Sequence, residues 1–167
     1  MIEIDLICPN CGGRLEINMN REKSFCPYCD SEFSVYRKLN EKLEKVKELC
    51  QKISNIDVQI IASENIKEIP EYENAKKYLG VPEDADVFLI CDLAIIHACK
   101  NGFAITNKGL YLRGDGMEKS KHMIWEQFKT ANILGKDSLV IGDVCFVTTD
   151  ILVAKLTELL KQIQEMI

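Results

Sequence analysis

Eight cysteines are present in 167 residues, and four of them fall in two matched Cys-x-x-Cys pairs. The first is Cys8-Pro9-Asn10-Cys11, followed by Gly12; the second is Cys26-Pro27-Tyr28-Cys29, followed by Asp30. A two-residue gap between cysteines folds into a tight turn that points both sulfurs at one centre, and Gly12 supplies the positive φ such a turn requires. Four thiolates arranged so fill a tetrahedral coordination shell. The expectation is one structural zinc ion held by Cys8, Cys11, Cys26 and Cys29, with no position left for a catalytic water. Iron in a similar sulfur cage is the rival reading, and zinc, which carries no redox chemistry, is preferred.

The remaining cysteines, Cys50, Cys91, Cys99 and Cys145, stand singly among apolar residues, as buried free thiols do. Cys91, Cys99 and Cys145 could meet His97 in a second metal or thiol-redox site, but core packing is the preferred reading because none of them belongs to a Cys-x-x-Cys turn. His97 and His122 are the two histidines, and neither has a Ser, Cys and Asp pattern nearby that would mark nucleophilic catalysis. The segment 113–122 offers Arg113, Lys119, Lys121 and nearby Lys108 to an anion. It also carries Asp115 and Glu118, and its Gly-x-Gly lacks the strand-to-helix setting of a phosphate cradle, so it reads as a solvated hairpin loop. Trp125, beside Ile124 and Phe128, reads as core.

Composition is that of a globular protein, 47% hydrophobic and 28% charged with a formal charge of −5. The acidic first seven residues do not resemble a signal peptide, and no apolar run approaches the roughly 20 residues that span a bilayer. Free thiols beside a thiolate metal site suit a reducing cytoplasm. Over residues 1–36 six acids oppose three bases, and four thiolates on a divalent ion would add about −2. Nucleic-acid binding draws on Lys and Arg to neutralise phosphates, so this segment is a poor candidate; Arg14, Arg21 and Lys23, with Phe25 or Tyr28 for stacking, are what it would use.

Three regions must position these groups. In 1–35 the alternation at 14–18 and at 32–36 predicts two short strands beside the Cys pairs. A unit so small buries little apolar area, and metal ligation should contribute on the order of 10 kcal/mol to its folding. In 36–54, Leu39, Leu43, Val46, Cys50 and Ile53 follow a four-three spacing. This is a connector helix of roughly 27 Å, the preferred reading, or a short coiled coil making a homodimer through 39–53. In 55–167 the pattern predicts a strand at 58–62, a helix at 71–79 closed by Gly80, and strands at 87–91, 93–99, 103–106, 110–113, 123–128, 139–141 and 144–147. Turns at 100–102, 107–109 and 142–143 carry Gly or Asn suited to hairpins. A terminal amphipathic helix from about 150 sets Leu152, Val153, Leu156, Leu159, Leu160 and Ile163 on one face.

Residues 1–35 resemble the zinc ribbons, with Cys-Pro-x-Cys-Gly and Cys-Pro-x-Cys-Asp as their knuckles. That resemblance implies a metal site and leaves function open, since such ribbons serve as nucleic-acid contacts, protein docking modules or structural caps. The stretch Asn101-Gly-Phe-Ala-Ile-Thr-Asn-Lys-Gly-Leu-Tyr-Leu-Arg113, then Ile124-Trp-Glu-Gln-Phe128, Val140-Ile-Gly and a terminal helix, resembles bacterial pleckstrin-homology-like and GRAM-like domains. It implies an antiparallel orthogonal β-sandwich or barrel capped by a C-terminal helix, an α+β fold. The early loops lack the clustered Lys and Arg that grip inositol phosphates, so phosphoinositide binding is not expected. Together these readings predict a non-enzymatic zinc-binding adaptor acting through protein contacts. The alternatives are nucleic-acid binding through the ribbon, or a thiol- or metal-dependent enzyme centred on the second domain.

Overall fold

A computed structural model describes residues 3–8, 10–18, 23–53, 57–63, 65–94 and 99–167, and for 3–6, 16–18, 23–24 and 33–40 it describes the backbone alone. The chain divides into two compact units, Met1–Glu44 and Lys45–Ile167, with the division falling inside a helix.

The N-terminal unit holds two antiparallel hairpins. Strand β1 (Glu3–Ile7) pairs with β2 (Arg14–Asn18), and β3 (Lys23–Phe25) pairs with β4 (Glu32–Ser34). Each hairpin has a Cys-x-x-Cys segment as its turn. The alternation at 32–36 ends sooner than expected, because helix α1 (Val35–Ile53) begins directly after β4. Along α1, Leu43, Val46, Cys50 and Ile53 are all buried within the single chain, so these seam positions are covered without a second copy.

The C-terminal unit is α+β with antiparallel sheets. Strands β5 (Ile60–Ile61), β6 (Val87–Asp92), β7 (Gly102–Thr106), β8 (Gly109–Arg113) and β9 (Lys121–Met123) form a five-stranded meander in chain order. Between β5 and β6 a 3-10 turn (Ile66–Glu68) leads into α2 (Pro70–Asn74), which widens into a π-helical stretch (Ala75–Leu79) and stops at Gly80. Helix α3 (Trp125–Thr130) then leads to a three-stranded meander of β10 (Ile133–Gly135), β11 (Leu139–Ile141) and β12 (Val144–Phe146). Helix α4 (Asp150–Met166) closes the chain, capped by the Thr149 side chain, which accepts from the Leu152 amide at 3.4 Å. Its expected apolar face is buried at all six positions and packs on β10, β11 and α3.

Three sequence expectations are corrected. The strand expected at 123–128 does not form: β9 stops at Met123, and α3 puts Trp125 and Phe128 on one side, with ring centroids 5.8 Å apart in a T-shaped contact. A strand would point two residues three apart to opposite faces, and burying both rings decides for the helix. The strand expected at 93–99 is absent over 93–94, because the Asp92 carboxylate accepts from the Ala94 amide at 3.0 Å and turns the chain out of β6; residues 95–98 lie outside those described. The turn at 100–102 is therefore the end of a longer connection, whereas β7–β8 and β11–β12 are tight hairpins. Strand β10, short and exposed at Leu134 and Gly135, had no prediction.

Candidate metal centre

The two knuckles are backbone copies of one another. In the first, the Cys8 amide donates to the Gly13 carbonyl at 2.8 Å and the Gly12 amide donates back to the Cys8 carbonyl at 2.9 Å. In the second, Cys26 donates to Ser31 at 3.0 Å and Asp30 to Cys26 at 2.9 Å. The residue after each second cysteine is left-handed, with φ of 73° at Gly12 and 52° at Asp30. Glycine adopts that conformation freely and Asp is among the few other residues that tolerate it, which is why these two types close the two turns.

This geometry brings the four sulfurs together. All lie within 4.8 Å of one another, with Cys8 and Cys29 at 3.7 Å and Cys11 and Cys26 at 3.6 Å across the knuckles. A tetrahedral ion with metal–sulfur bonds of about 2.3 Å sets its ligands about 3.8 Å apart, so the residues fit a thiolate-bound metal. The separations far exceed the roughly 2.05 Å of a disulfide. Cys8 and Cys26 are buried, Cys29 is half-buried and Cys11 is exposed.

Hydrogen bonds converge on the sulfurs. The Ser31 hydroxyl stands 3.0 Å from Cys29 Sγ and 3.5 Å from Cys8 Sγ, the Tyr28 amide donates to Cys26 Sγ at 3.4 Å, and Asn10 Nδ2 donates to Cys29 Sγ at 3.8 Å. The Ser31 hydroxyl and backbone amides draw the Cys8 thiol down to about 6, and Ser31 likewise lowers Cys29. Cys11 goes the other way: although the Gly13 amide favours its anion, Cys29, desolvation, Cys26 and Cys8 push it up to about 12. Four sulfurs this close cannot all be anions unless a cation sits among them, and a divalent ion would supply that charge.

Ile7, Phe25 and Tyr28, each next in sequence to a cysteine of the cluster, are 61%, 64% and 69% exposed. Ile7 and Phe25 are the last residues of β1 and β3, each immediately before the first cysteine of its knuckle. Of the residues considered for nucleic-acid contact, Arg14 pairs across the first hairpin with Ile7, Arg21 lies outside the described residues, and the Lys23 side chain is not described.

No second metal cluster is present among the described residues. His97 lies outside them. Cys99 packs with Ile90, Ala104 and Tyr111, the face of the sheet on which Asp92 also falls, whereas Cys91 alternates to the opposite face. Burial pushes the Cys99 thiol up to about 12, with the Asp92 carboxylate adding to it, and burial likewise pushes the Cys91 thiol well up. Such thiols are poor nucleophiles. Cys50 is buried as expected, but Cys145 is exposed, a correction: it sits at the outward-facing middle position of β12. Its flanking residues Val144 and Phe146 are the buried ones, and in a strand the residue between two buried neighbours faces out.

Three cations of the 108–122 region, Lys108, Arg113 and Lys121, are engaged. Lys108 pairs with Asp84 and Lys121 with Asp143, both at 2.5 Å, and Arg113 Nε donates to the Met117 carbonyl at 3.3 Å. His122 stacks on Tyr111 with centroids 4.3 Å apart and places Nε2 3.0 Å from the Lys108 carbonyl. Trp125 is core, its indole donating to the Asn107 carbonyl at 3.1 Å. An open cleft of about 210 Å³ lies between α1 and α4; Lys52, Lys155 and Glu158 are its ionisable lining groups, and no cysteine or histidine lines it. Among the described residues, no helix is long and apolar enough to cross a membrane.

Sequence reading missed Ser31 and Asn10. The signal was present, since Ser31 follows Cys29 at the same interval at which Gly13 follows Cys11, and a hydroxyl so placed after a knuckle lies within reach of its sulfurs. Comparison with protein-family models, with curated proteins and with solved structures found no match.

Proposed function

We propose that this chain is a non-enzymatic adaptor in which a structural zinc ion holds a docking module for protein contacts. The observation that carries the reading is the exposure of Ile7, Phe25 and Tyr28 around the four-thiolate cluster. Large apolar groups left in water beside a rigid centre suit a partner that buries them. Four cysteines fill the shell of a tetrahedral ion, which favours a structural over a catalytic role, and zinc is the ion that best suits an all-thiolate set without redox chemistry. The acidic balance of residues 1–36 favours a partner with a basic rim around an apolar pocket.

For the second unit we favour a pleckstrin-homology-like architecture. Its order supports that assignment: an antiparallel meander, a second three-stranded meander and a C-terminal helix. The high thiol pKa values of Cys91 and Cys99 weigh against the thiol-enzyme alternative.

A nuclease-treated pull-down from the source cell tests the reading, comparing wild type with Phe25→Ala/Tyr28→Ala, which should keep the metal, and with Cys26→Ser/Cys29→Ser, which should lose it. A protein captured by wild type and lost by both variants is expected. Equal capture by all three would move the docking function to the second unit. Because Phe25 and Tyr28 could also stack on bases, a mobility shift of DNA or RNA at low salt, abolished by the aromatic variant, would replace the protein partner with a nucleic acid.

A further inference from the structure

Two features distinguish the second knuckle from its backbone copy. Position 13 of the first is glycine, with no side chain to offer; its counterpart in the second is Ser31, whose hydroxyl sits 3.0 Å from Cys29 Sγ and 3.5 Å from Cys8 Sγ. Those sulfurs belong to different knuckles. Position 10 carries Asn10, which reaches across to Cys29, while its counterpart Tyr28 lays an exposed ring over Gly13. Polar side-chain contacts are thus concentrated on Cys29 and Cys8.

We propose that Ser31 is a positioning residue of the metal centre, a hydroxyl that ties the two knuckles together at the Cys8–Cys29 pair and sets how tightly the metal is held. This rests on the reading of the four cysteines as a metal site. The physics is direct. A hydroxyl proton donated to a thiolate disperses charge that the ion would otherwise neutralise alone, and it fixes the sulfur's orientation. Because the hydroxyl has one proton and two sulfurs within reach, it bonds the nearer Cys29 and guards the approach to Cys8. Among the described residues no side-chain hydroxyl stands at Cys11, the exposed ligand, which has the Gly13 amide instead, so metal loss should begin on the Cys11 side and Ser31 should hold the opposite pair. Outer-shell partners of this kind are typically worth 10–100-fold in metal affinity.

The test uses the full chain loaded with cobalt(II), whose thiolate-to-metal charge-transfer band reports hydrogen bonding to sulfur, and zinc competition against a chromophoric chelator. Ser31→Ala is expected to move the band to longer wavelength, weaken zinc binding about tenfold and speed its loss to chelator, while Ser31→Thr restores all three. Ser31→Gly is the second variant, because the homologous turn already accepts glycine at position 13; it should behave as Ser31→Ala does. A wild-type band position and affinity in both variants would overturn the proposal. Weakened binding with an unmoved band would do so too, by showing that the side chain acts only on packing. Failure of the wild-type chain to bind cobalt or zinc would instead remove the metal reading on which the proposal stands.

Discussion

Tyr28 of the second knuckle closes over Gly13 of the first: a Cβ built on Gly13 would stand 2.5 Å from Cδ2 of the Tyr28 ring. The ring is 69% exposed, so it can swing away when pushed. Gly13→Ala should therefore displace Tyr28 from its seat without breaking the metal shell. The expected outcome is unchanged metal content, one equivalent by elemental analysis, with weaker capture of the partner in the pull-down. If Gly13→Ala captured the partner as wild type does, the seat of Tyr28 would have no part in docking.

Removing the metal should unfold one unit and spare the other. The N-terminal unit has two short hairpins and little apolar area to bury, whereas Lys45–Ile167 carries its own extensive core. Ligation supplies on the order of 10 kcal/mol to the folding of such small sites. Trp125, the single tryptophan, is buried in the C-terminal unit and reports on it alone. Chelation is expected to collapse the amide signals of residues 3–34 in a nitrogen–proton correlation spectrum while the Trp125 emission maximum stays in place. A shift of that maximum on chelation would mean that the two units fold as one.

Thiol reactivity should sort the four cysteines outside the knuckles into two classes. Cys145 is exposed, whereas Cys50, Cys91 and Cys99 are buried, with Cys50 and Cys99 pushed up to about 12 by desolvation. Only the thiolate reacts at an appreciable rate. In metal-loaded protein a disulfide reagent at pH 8 should modify Cys145 rapidly and leave the other three for the denatured state, a contrast that mass spectrometry of peptides can read. Rapid modification of Cys91 or Cys99 would reopen the thiol-enzyme reading.

The cysteine cluster was legible because its geometry is local. Two residues between cysteines, followed by Gly12 or Asp30, determine a turn, and one turn repeated implies four converging sulfurs. Helix α4 was legible for a similar reason, as six apolar residues at helical spacing leave one face to bury. What escaped depended on contacts distant in sequence. The run 123–128 is short and rich in strand-favouring Ile, Trp and Phe, so it passes for a strand, and the burial of both Trp125 and Phe128 on one side makes it helical. Cys145 looks like its apolar neighbours, and its exposure follows from strand register, which places it opposite Val140 on the outer face. Ser31 was passed over for two reasons: its contact with Cys29 two residues back looks like that of any serine after a turn, and its second sulfur, Cys8, lies 23 positions away in the chain.

Helix α3 joins the two meanders of the C-terminal unit, and Phe128 is its anchor. The ring is fully buried against Trp125, and the Phe128 carbonyl accepts from Gln164 Nε2 of α4 at 2.7 Å, with the Ala131 carbonyl taking a second bond at 2.8 Å. Phe128→Ala removes a large ring from a closed site and should cost about 3–5 kcal/mol, while Gln164→Ala, which frees two carbonyls at the half-buried rim, should cost about 1–2 kcal/mol. Urea unfolding followed by circular dichroism measures both, and the metal content should stay at one equivalent in each variant because the ribbon's ligands are untouched. Were 123–128 a strand, Trp125 and Phe128 would face opposite ways and show no coupling. In the helix, a double-mutant cycle of Trp125→Leu with Phe128→Ala should return a coupling of about 0.5–1.5 kcal/mol, the worth of an edge-to-face aromatic pair.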